Sequence, residues 1–424
     1  MKLKKQSTIA VALFTCALPT VTWADAVPAQ YWVDIHTSNM SIPGMDSGMA
    51  GLMGEMMGGG AGSENAFGHA TNDGVSAGGA GKWMDNALHV SKVPAGSKGT
   101  HALPSGMSMG ASIPLVPVES GKVEPGNREY TDPKMQDTGK IYFYWGCSEK
   151  VRSGQPKVID FSSKSGFSKF IAGNYTADRG ARAVAGNSIW PNVQDKKRVP
   201  DNASLVGEHV ISGDGVPEGM KFGVDSSYDF MPKIEAKATG ETTGSVNVAW
   251  NNVTNAKAYF LNAMGSKGKG DMIIWSASEK PEPGWGLMNY LTPKMIEKLL
   301  KEKLILPNSQ QSCAIPEGIF KETQGVMAQM IAYGPELNVV YPVPDTKKKI
   351  KPEWASRFRI KSTTMVMLGG MGANSGDNQG QDSGSAGGRN YTAGKAGGSS
   401  TDKPSGTGSS VLDKAKKLKD VFGF

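Results

Sequence analysis

Short segments that alternate apolar and polar side chains recur between residues 28 and 368, and only one stretch has helical spacing, which restricts the chain to a β-rich fold. Tyr31, Val33 and Ile35 alternate with Trp32, Asp34 and His36, and Trp83 to Val90 follows the same rhythm. Further strands are predicted at Lys140 to Cys147, Lys157 to Phe161, Ala203 to Ile211 and Tyr228 to Ala238. Ser153–Gly154, Asp201–Asn202 and Gly213–Asp214–Gly215 supply turn chemistry in the gaps. Regularly spaced short strands of this kind indicate antiparallel sandwiches or barrels.

A second set begins near residue 240, with Val246, Val248 and Trp250 on one strand face, then Ala258 to Met264 and Met272 to Ala277. The stretch SVNVAWNNVTNAKAYFLNAMG resembles the B and C strands of fibronectin type III-like domains, with Trp250 ending one strand and Ala258 and Tyr259 opening the next. The resemblance covers roughly residues 240–345 and implies an Ig-like sandwich there. It departs from a plain seven-strand pattern where Thr292 caps a helix over 293–303: Pro293 occupies the first position, and Met295, Ile296, Leu299 and Leu300 form the apolar stripe. Strands resume at Gly325 to Tyr333 and Glu336 to Tyr341, joined by Gly334–Pro335, and at Ser356 to Leu368.

The N-terminus reads as an export signal over residues 1–24: Lys2, Lys4 and Lys5 precede the apolar run Ile9 to Leu18, and small residues offer cleavage after Ala24 or Ala26. That run is shorter than the roughly 20 residues a spanning helix needs. The expected location is therefore the periplasm or cell surface, by the general export pathway. Removing the three signal lysines lowers the formal charge from +7 to +4, ordinary surface chemistry that gives no reason to expect a nucleic-acid partner. Cleavage also removes Cys16, leaving Cys147 and Cys313 in an oxidising compartment where a disulfide is the natural state.

The expected organisation is all-β: two antiparallel sandwich-like domains, one over 28–238 with a disordered Gly/Met-rich insertion at 38–81, the other over 240–368 with the helical insertion. A Gly/Ser-rich linker follows at 369–410. Residues 411–424 return to helical spacing, with Val411, Ala415, Leu418 and Phe422 on one side and lysines around the rest, a tail suited to docking on a membrane surface or a partner.

Several constellations bear on chemistry. Met45, Met49, Met53 and Met57 recur every fourth position, with His36 and His69 flanking, and such soft donors suit Cu(I) or Ag(I). The alternative is a pliable apolar segment that needs no cofactor. Lys347, Lys348, Lys349 and Lys351, followed by Arg357, Arg359 and Lys361 on one strand face opposite Phe358 and Ile360, suit an anionic partner or a solvated, protected edge. Tyr142, Tyr144, Trp145, Trp190 and Trp285 are sugar-stacking candidates if they line a surface and core residues otherwise. His209, with Ser204 or Ser212 and Asp214 or Asp229 nearby, matches no hydrolase spacing. Gly265 to Gly270 lacks the ending of a phosphate-binding loop. No catalytic residue emerges, and the functional expectation is a binding or structural protein of the cell envelope whose partner is another envelope protein or a polysaccharide. Soft-metal binding and carbohydrate binding or turnover are the alternatives.

Overall fold

The computed structural model describes residues 27–41, 65–71, 79–119, 139–160, 180–268, 270–343, 348 and 350–369. The export segment, the four methionines, the linker beyond Gly369 and the C-terminal tail lie outside the described residues. The first nine strands are β1 (Ala29–Ser41), β2 (Gly81–Val90), β3 (Gly99–Ala102), β4 (Ser112–Pro117), β5 (Lys140–Trp145), β6 (Lys157–Asp160), β7 (Asn187–Trp190), β8 (Gly207–Gly213) and β9 (Lys221–Val224). The rest are β10 (Lys237–Thr239), β11 (Val246–Ala249), β12 (Ala258–Gly268), β13 (Asp271–Ser276), β14 (Leu306–Pro307), β15 (Ser312–Ile315), β16 (Gln324–Tyr341) and β17 (Trp354–Leu368), with, among the described residues, one α-helix, α1 (Pro293–Glu302), before β14.

The centre of the large mixed sheet joins the two extremes of the described chain. β1 runs parallel to β17 from Ala29↔Trp354 to Ser41↔Val366, and β2 and β16 flank this pair antiparallel. Beyond β16 the order is β12, β13, β5 and β6, and beyond β2 it is β7, β4, β3, β8 and β9. β10, β11 and β15 form a separate three-stranded sheet. The strand content matches the all-β expectation. The expected boundary near residue 239 is crossed by the large sheet, because β1 pairs with β17 and β5 with β13.

Tyr31, Val33 and Ile35 of β1, Met84 and Leu88 of β2, and Phe358 and Ile360 of β17 point into the main core, with Ile113, Leu205, Ile211 and Phe222 from the β3–β4 and β8–β9 region. Val246, Val248 and Trp250 belong to the same core as Tyr259 and Leu261. Burying one such side chain contributes about 1.5–3 kcal/mol. Helix α1 lies over the opposite side of the sheet, where Ile296 and Leu299 meet Ala258, Phe260, Ile331 and Tyr333. It starts and stops as its sequence dictates: Thr292 Oγ1 accepts from Met295 N at 3.1 Å, and Lys303 closes the last turn at φ 59°.

Three expectations need correction. Of the insertion expected to be disordered over 38–81, residues 38–41 continue β1, residues 65–71 pack against β1 and β2, and Gly81 opens β2. Gly334–Pro335 is a bulge inside the long strand β16, because both halves stay paired with β17, with a register shift between Tyr333 and Glu336. A Cβ at Gly334 would stand 2.7 Å from the Ile360 carbonyl oxygen, so the close passage of the backbones requires glycine. Of Tyr228 to Ala238, only the end is strand, as the start of β10.

Candidate functional site

Both faces of β1 are buried, so its alternating polar side chains meet other strands instead of water. Three rows run across β2, β1, β17 and β16: Ala87–Trp32–Arg357–Asn338, Asp85–Asp34–Arg359–Glu336, and Trp83–His36–Lys361–Tyr333. The middle row is ionic. Arg359 donates through Nε to Asp34 Oδ1 at 2.7 Å and through Nη2 to Oδ2 at 2.6 Å, a bidentate pair with side-chain exposures of 8% and 1%. Arg357 Nε lies 3.4 Å from Glu336 Oε1 and donates to Asn338 Oδ1 at 2.8 Å. Lys361 is fully buried and donates to Asn289 Oδ1 at 3.2 Å. The Tyr290 ring lies beneath both cations, 4.4 Å from the Arg359 guanidinium carbon and 4.5 Å from Lys361 Nζ.

Three segments cover these rows. Residues 65–71 form a strap whose Gly68, Ala70 and Thr71 amides all donate to Asp85 Oδ2, at 3.0, 3.0 and 2.7 Å. Thr71 Oγ1 donates to Asp34 Oδ2 at 2.8 Å, and Ala181 N, from a second segment, donates to the same oxygen at 3.1 Å. From a third segment, Asn289 Nδ2 donates to the Thr71 carbonyl, and the Tyr290 hydroxyl sits between the carbonyls of Ile35 and Ala70. Burial raises the Asp85 carboxyl to about 7, and the Asp34 charge opposite acts the same way, while the hydrogen bonds pull it down.

His36 and His69 come together here. His36 Nδ1 lies 3.1 Å from the His69 carbonyl, to which it donates, and Nε2 accepts from Thr363 Oγ1 at 2.7 Å, so both ring nitrogens of a neutral His36 are engaged. Burial and then the Lys361 charge hold the His36 imidazole well below its usual range. Burial and the nearby Arg198 hold His69 at about 4. Among the described residues no three His, Cys, Asp or Glu side chains converge as a metal cage.

The other face of β1 carries a hydrogen-bonded chain through the apolar core. Tyr31 Oη lies 2.7 Å from His101 Nδ1, His101 Nε2 lies 2.8 Å from His209 Nδ1, and His209 Nε2 lies 2.7 Å from the Leu205 carbonyl. The carbonyl accepts only, which fixes the direction: His209 donates from Nε2, His101 donates from Nε2 to His209, and the Tyr31 hydroxyl donates to His101. Burial lowers both imidazoles, in keeping with neutral rings. Because Tyr31 spends its proton on His101, its contact with Asn86, drawn as a bond to Oδ1 at 2.8 Å, is satisfied by the reversed amide, whose Nδ2 otherwise has no partner.

The remaining candidates fall in several places. Cys147 and Cys313 are disulfide-bonded, their Cα atoms 5.0 Å apart, linking the end of β5 to β15. Arg357, Arg359 and Lys361 share one strand face, as the alternation indicates, but that face is internal and its charges meet acids, an amide and a tyrosine ring; in this fold they are not surface cations. Lys348 and Lys351 are exposed, and Lys347 and Lys349 lie outside the described residues. Ser204 Oγ donates to Asp229 Oδ2 at 2.6 Å and Ser212 pairs with Thr100, so neither serine joins His209. Trp190 is fully buried, and Trp145 and Trp285 pack around Ile141 and Phe143. Tyr142 and Tyr144 line an open cleft of about 270 Å³ over Ile273 and Ile319, where Lys267 Nζ sits 5.0 Å from the Tyr142 ring centre and 2.8 Å from Glu322 Oε2. A second groove, of about 390 Å³, has Lys98 as its single charged side chain.

Asp34, Asp85, Tyr290 and the Tyr31–His101 link escaped the sequence reading. The signal that was present is the placement of an acid and a histidine on a strand whose other face is apolar. No protein-family model and no curated protein matches the chain.

Proposed function

We propose that this chain is an exported, non-enzymatic binding or structural protein of the bacterial cell envelope, with another envelope protein or a polysaccharide as its partner. The observation that carries this reading is the Cys147–Cys313 disulfide, which fits an oxidising compartment and supports the export signal read at residues 1–24. The inward commitment of His36, His209, Asp34 and Arg359 to partners within the fold supports a structural role for the strongest polar clusters. On the outside, the cleft at Tyr142 and Tyr144 pairs aromatic surface with Lys267 and Glu322, a combination suited to a polar partner.

The fibronectin type III-like reading of 240–368 belongs to the same proposal. It draws support from the order β10–β11–β15 in one sheet and β13–β12–β16–β17 in the other, and from the edge-on contact of Trp250 with Tyr259 at 5.6 Å. In that arrangement β1 and β5 extend the two outer strands of the larger sheet.

Cell fractionation combined with thiol alkylation tests the location: the expected form is processed, extracytoplasmic and resistant to alkylation until reduced. Unprocessed cytosolic protein with two free thiols would end the proposal. Co-sedimentation with purified envelope polysaccharide, and cross-linking to envelope protein in intact cells, test the partner. A Tyr142→Ala/Tyr144→Ala variant that keeps full binding in both would remove the cleft from the reading.

A further inference from the structure

Beyond the area that helix α1 covers, the same face of the large sheet is lined with thioethers. Met264 of β12 stands directly opposite Met327 of β16, and Met327 stands directly opposite Met367 of β17, so three adjacent strands each place a methionine in one row. The neighbouring row runs Asn262–Gln329–Met365–Met40. We propose that the first row is a binding site for a soft monovalent cation, Cu(I) or Ag(I), held by the sulfurs of Met264, Met327 and Met367.

Alternation fixes the face. Val326, Ala328, Val366 and Leu368 point into the main core, which turns Met327 and Met367 to the opposite side. Met264 packs on that side with the cluster of Ile141, Phe143 and Ile274, as Met272 does. Residues directly opposite on neighbouring strands have Cβ atoms about 4.5–5.5 Å apart. A methionine carries its sulfur two bonds beyond Cβ on a flexible, unbranched chain, so three sulfurs spaced in this way can close on one ion above Met327. All three side chains are partly exposed, and an ion reaches them from solvent without unfolding the sheet.

The surroundings select the ion. Thioethers are soft donors with no proton to lose, and among the described residues no group of three His, Cys, Asp or Glu side chains competes with them. The nearest imidazole along β1, His36, stands two rows beyond Met40 with both ring nitrogens engaged, and Cys147 and Cys313 are tied in their disulfide. Lys157 of β6, the charged member of the methionine row, is three strands away from Met264. Beside Met264, in the next row, Asn262 Oδ1 is buried with no hydrogen-bond partner among the described residues, an uncommitted acceptor of the kind that a nearby cation satisfies. These donors are distinct from the methionines at 45–57, which lie outside the described residues.

The test therefore starts from the full chain carrying Cys16→Ser, Met45→Leu, Met49→Leu, Met53→Leu, Met56→Leu and Met57→Leu. Cu(I), kept reduced by ascorbate in the absence of oxygen, is titrated against it in competition with a chelator of known affinity. A single ion should bind, with an affinity constant from about pH 5 to about 8 because no donor titrates, and Zn(II) should not displace it. Adding Met264→Leu, Met327→Leu and Met367→Leu, which conserve volume, should weaken binding at least about tenfold and leave the thermal melt in place. No binding in the starting variant, or equal affinity after the three further changes, overturns the proposal. An affinity that climbs with pH would assign the ion to imidazole and overturn it too. Should the further variant fail to fold, carbon-13 methyl signals of the starting variant decide: shifts at Met264, Met327 and Met367 support the site, and an unmoved signal at any of them removes it.

Discussion

Arg359→Met should be among the most damaging single substitutions in this protein. Arg359 reaches Asp34 from a strand 325 residues away in sequence, through two hydrogen bonds of 2.7 and 2.6 Å, and both side chains are almost wholly inaccessible. Methionine fills much of the same space yet leaves Asp34 with only the Thr71 hydroxyl and the Ala181 amide as donors. Stranding a buried carboxylate in this way costs about 3–5 kcal/mol, and losing the contact with the Tyr290 ring adds about 1 kcal/mol. Against a total of about 5–15 kcal/mol for a folded domain, that is about a quarter of the stability or more. Removing the opposing charge as well should recover part of the loss, because Asp34→Asn keeps both remaining donors satisfied. Urea unfolding followed by circular dichroism at pH 7.5, on the two single variants and the double, measures this directly. The double variant should be more stable than the sum of the singles predicts, by about 2 kcal/mol. A loss below about 1 kcal/mol for Arg359→Met, or strict additivity, would refute the view that the pair is a buried, mutually dependent unit.

Other outcomes follow from the same packing. Gly180→Ala should destabilise by about as much as Arg359→Met, about 3 kcal/mol or more, because its Cβ would lie 1.5 Å from Arg359 Nη2 and 2.3 Å from Asp34 Oδ2; a melt within 1 °C of wild type would contradict this. Cys147→Ala/Cys313→Ala releases a closed loop of 166 residues and should lower unfolding free energy by about 5 kcal/mol on chain-entropy grounds, a loss that reducing the wild type should reproduce in urea titrations. Nitrogen-15 spectra should report His101 and His209 as neutral rings protonated at Nε2 at pH 7. Because burial lowers both imidazoles in the folded state, their contribution is intact above 6.5 and drains away as pH falls below it. Wild-type stability should therefore decline on the acid side, and His101→Gln/His209→Gln should reduce that slope.

Features set by neighbours in sequence were legible before any coordinates. Thr292, Pro293 and the stripe through Ile296 and Leu299 define a helix by capping and spacing alone, and α1 ends one residue from its expected limit. The pairing of Cys147 with Cys313 was the one expected, and the fold contains it. The alternation in Arg357, Phe358, Arg359 and Ile360 correctly separated two strand faces. It did not tell which face meets water, because in a sheet's central strands both faces are covered, and the cover comes from residues 65–71, 180–183 and 287–291, which carry no periodic signal. For the same reason Asp34 reads as a solvent-facing acid until its register with Asp85 and Arg359 is known. Gly334–Pro335 reads as a turn because punctuation is local, whereas the choice between turn and bulge was made by β17.

The side-by-side, same-direction run of β1 and β17 imposes an order on the birth of the molecule. A ribosome adding roughly 5–20 residues per second finishes the last strand some 15–65 seconds after the first, and throughout that interval Tyr31, Val33 and Ile35 have no permanent neighbour on that flank. The middle of the architecture is thus the part completed last. A nascent chain cut short anywhere before Trp354 would leave β1 without its parallel partner, as an open strand margin.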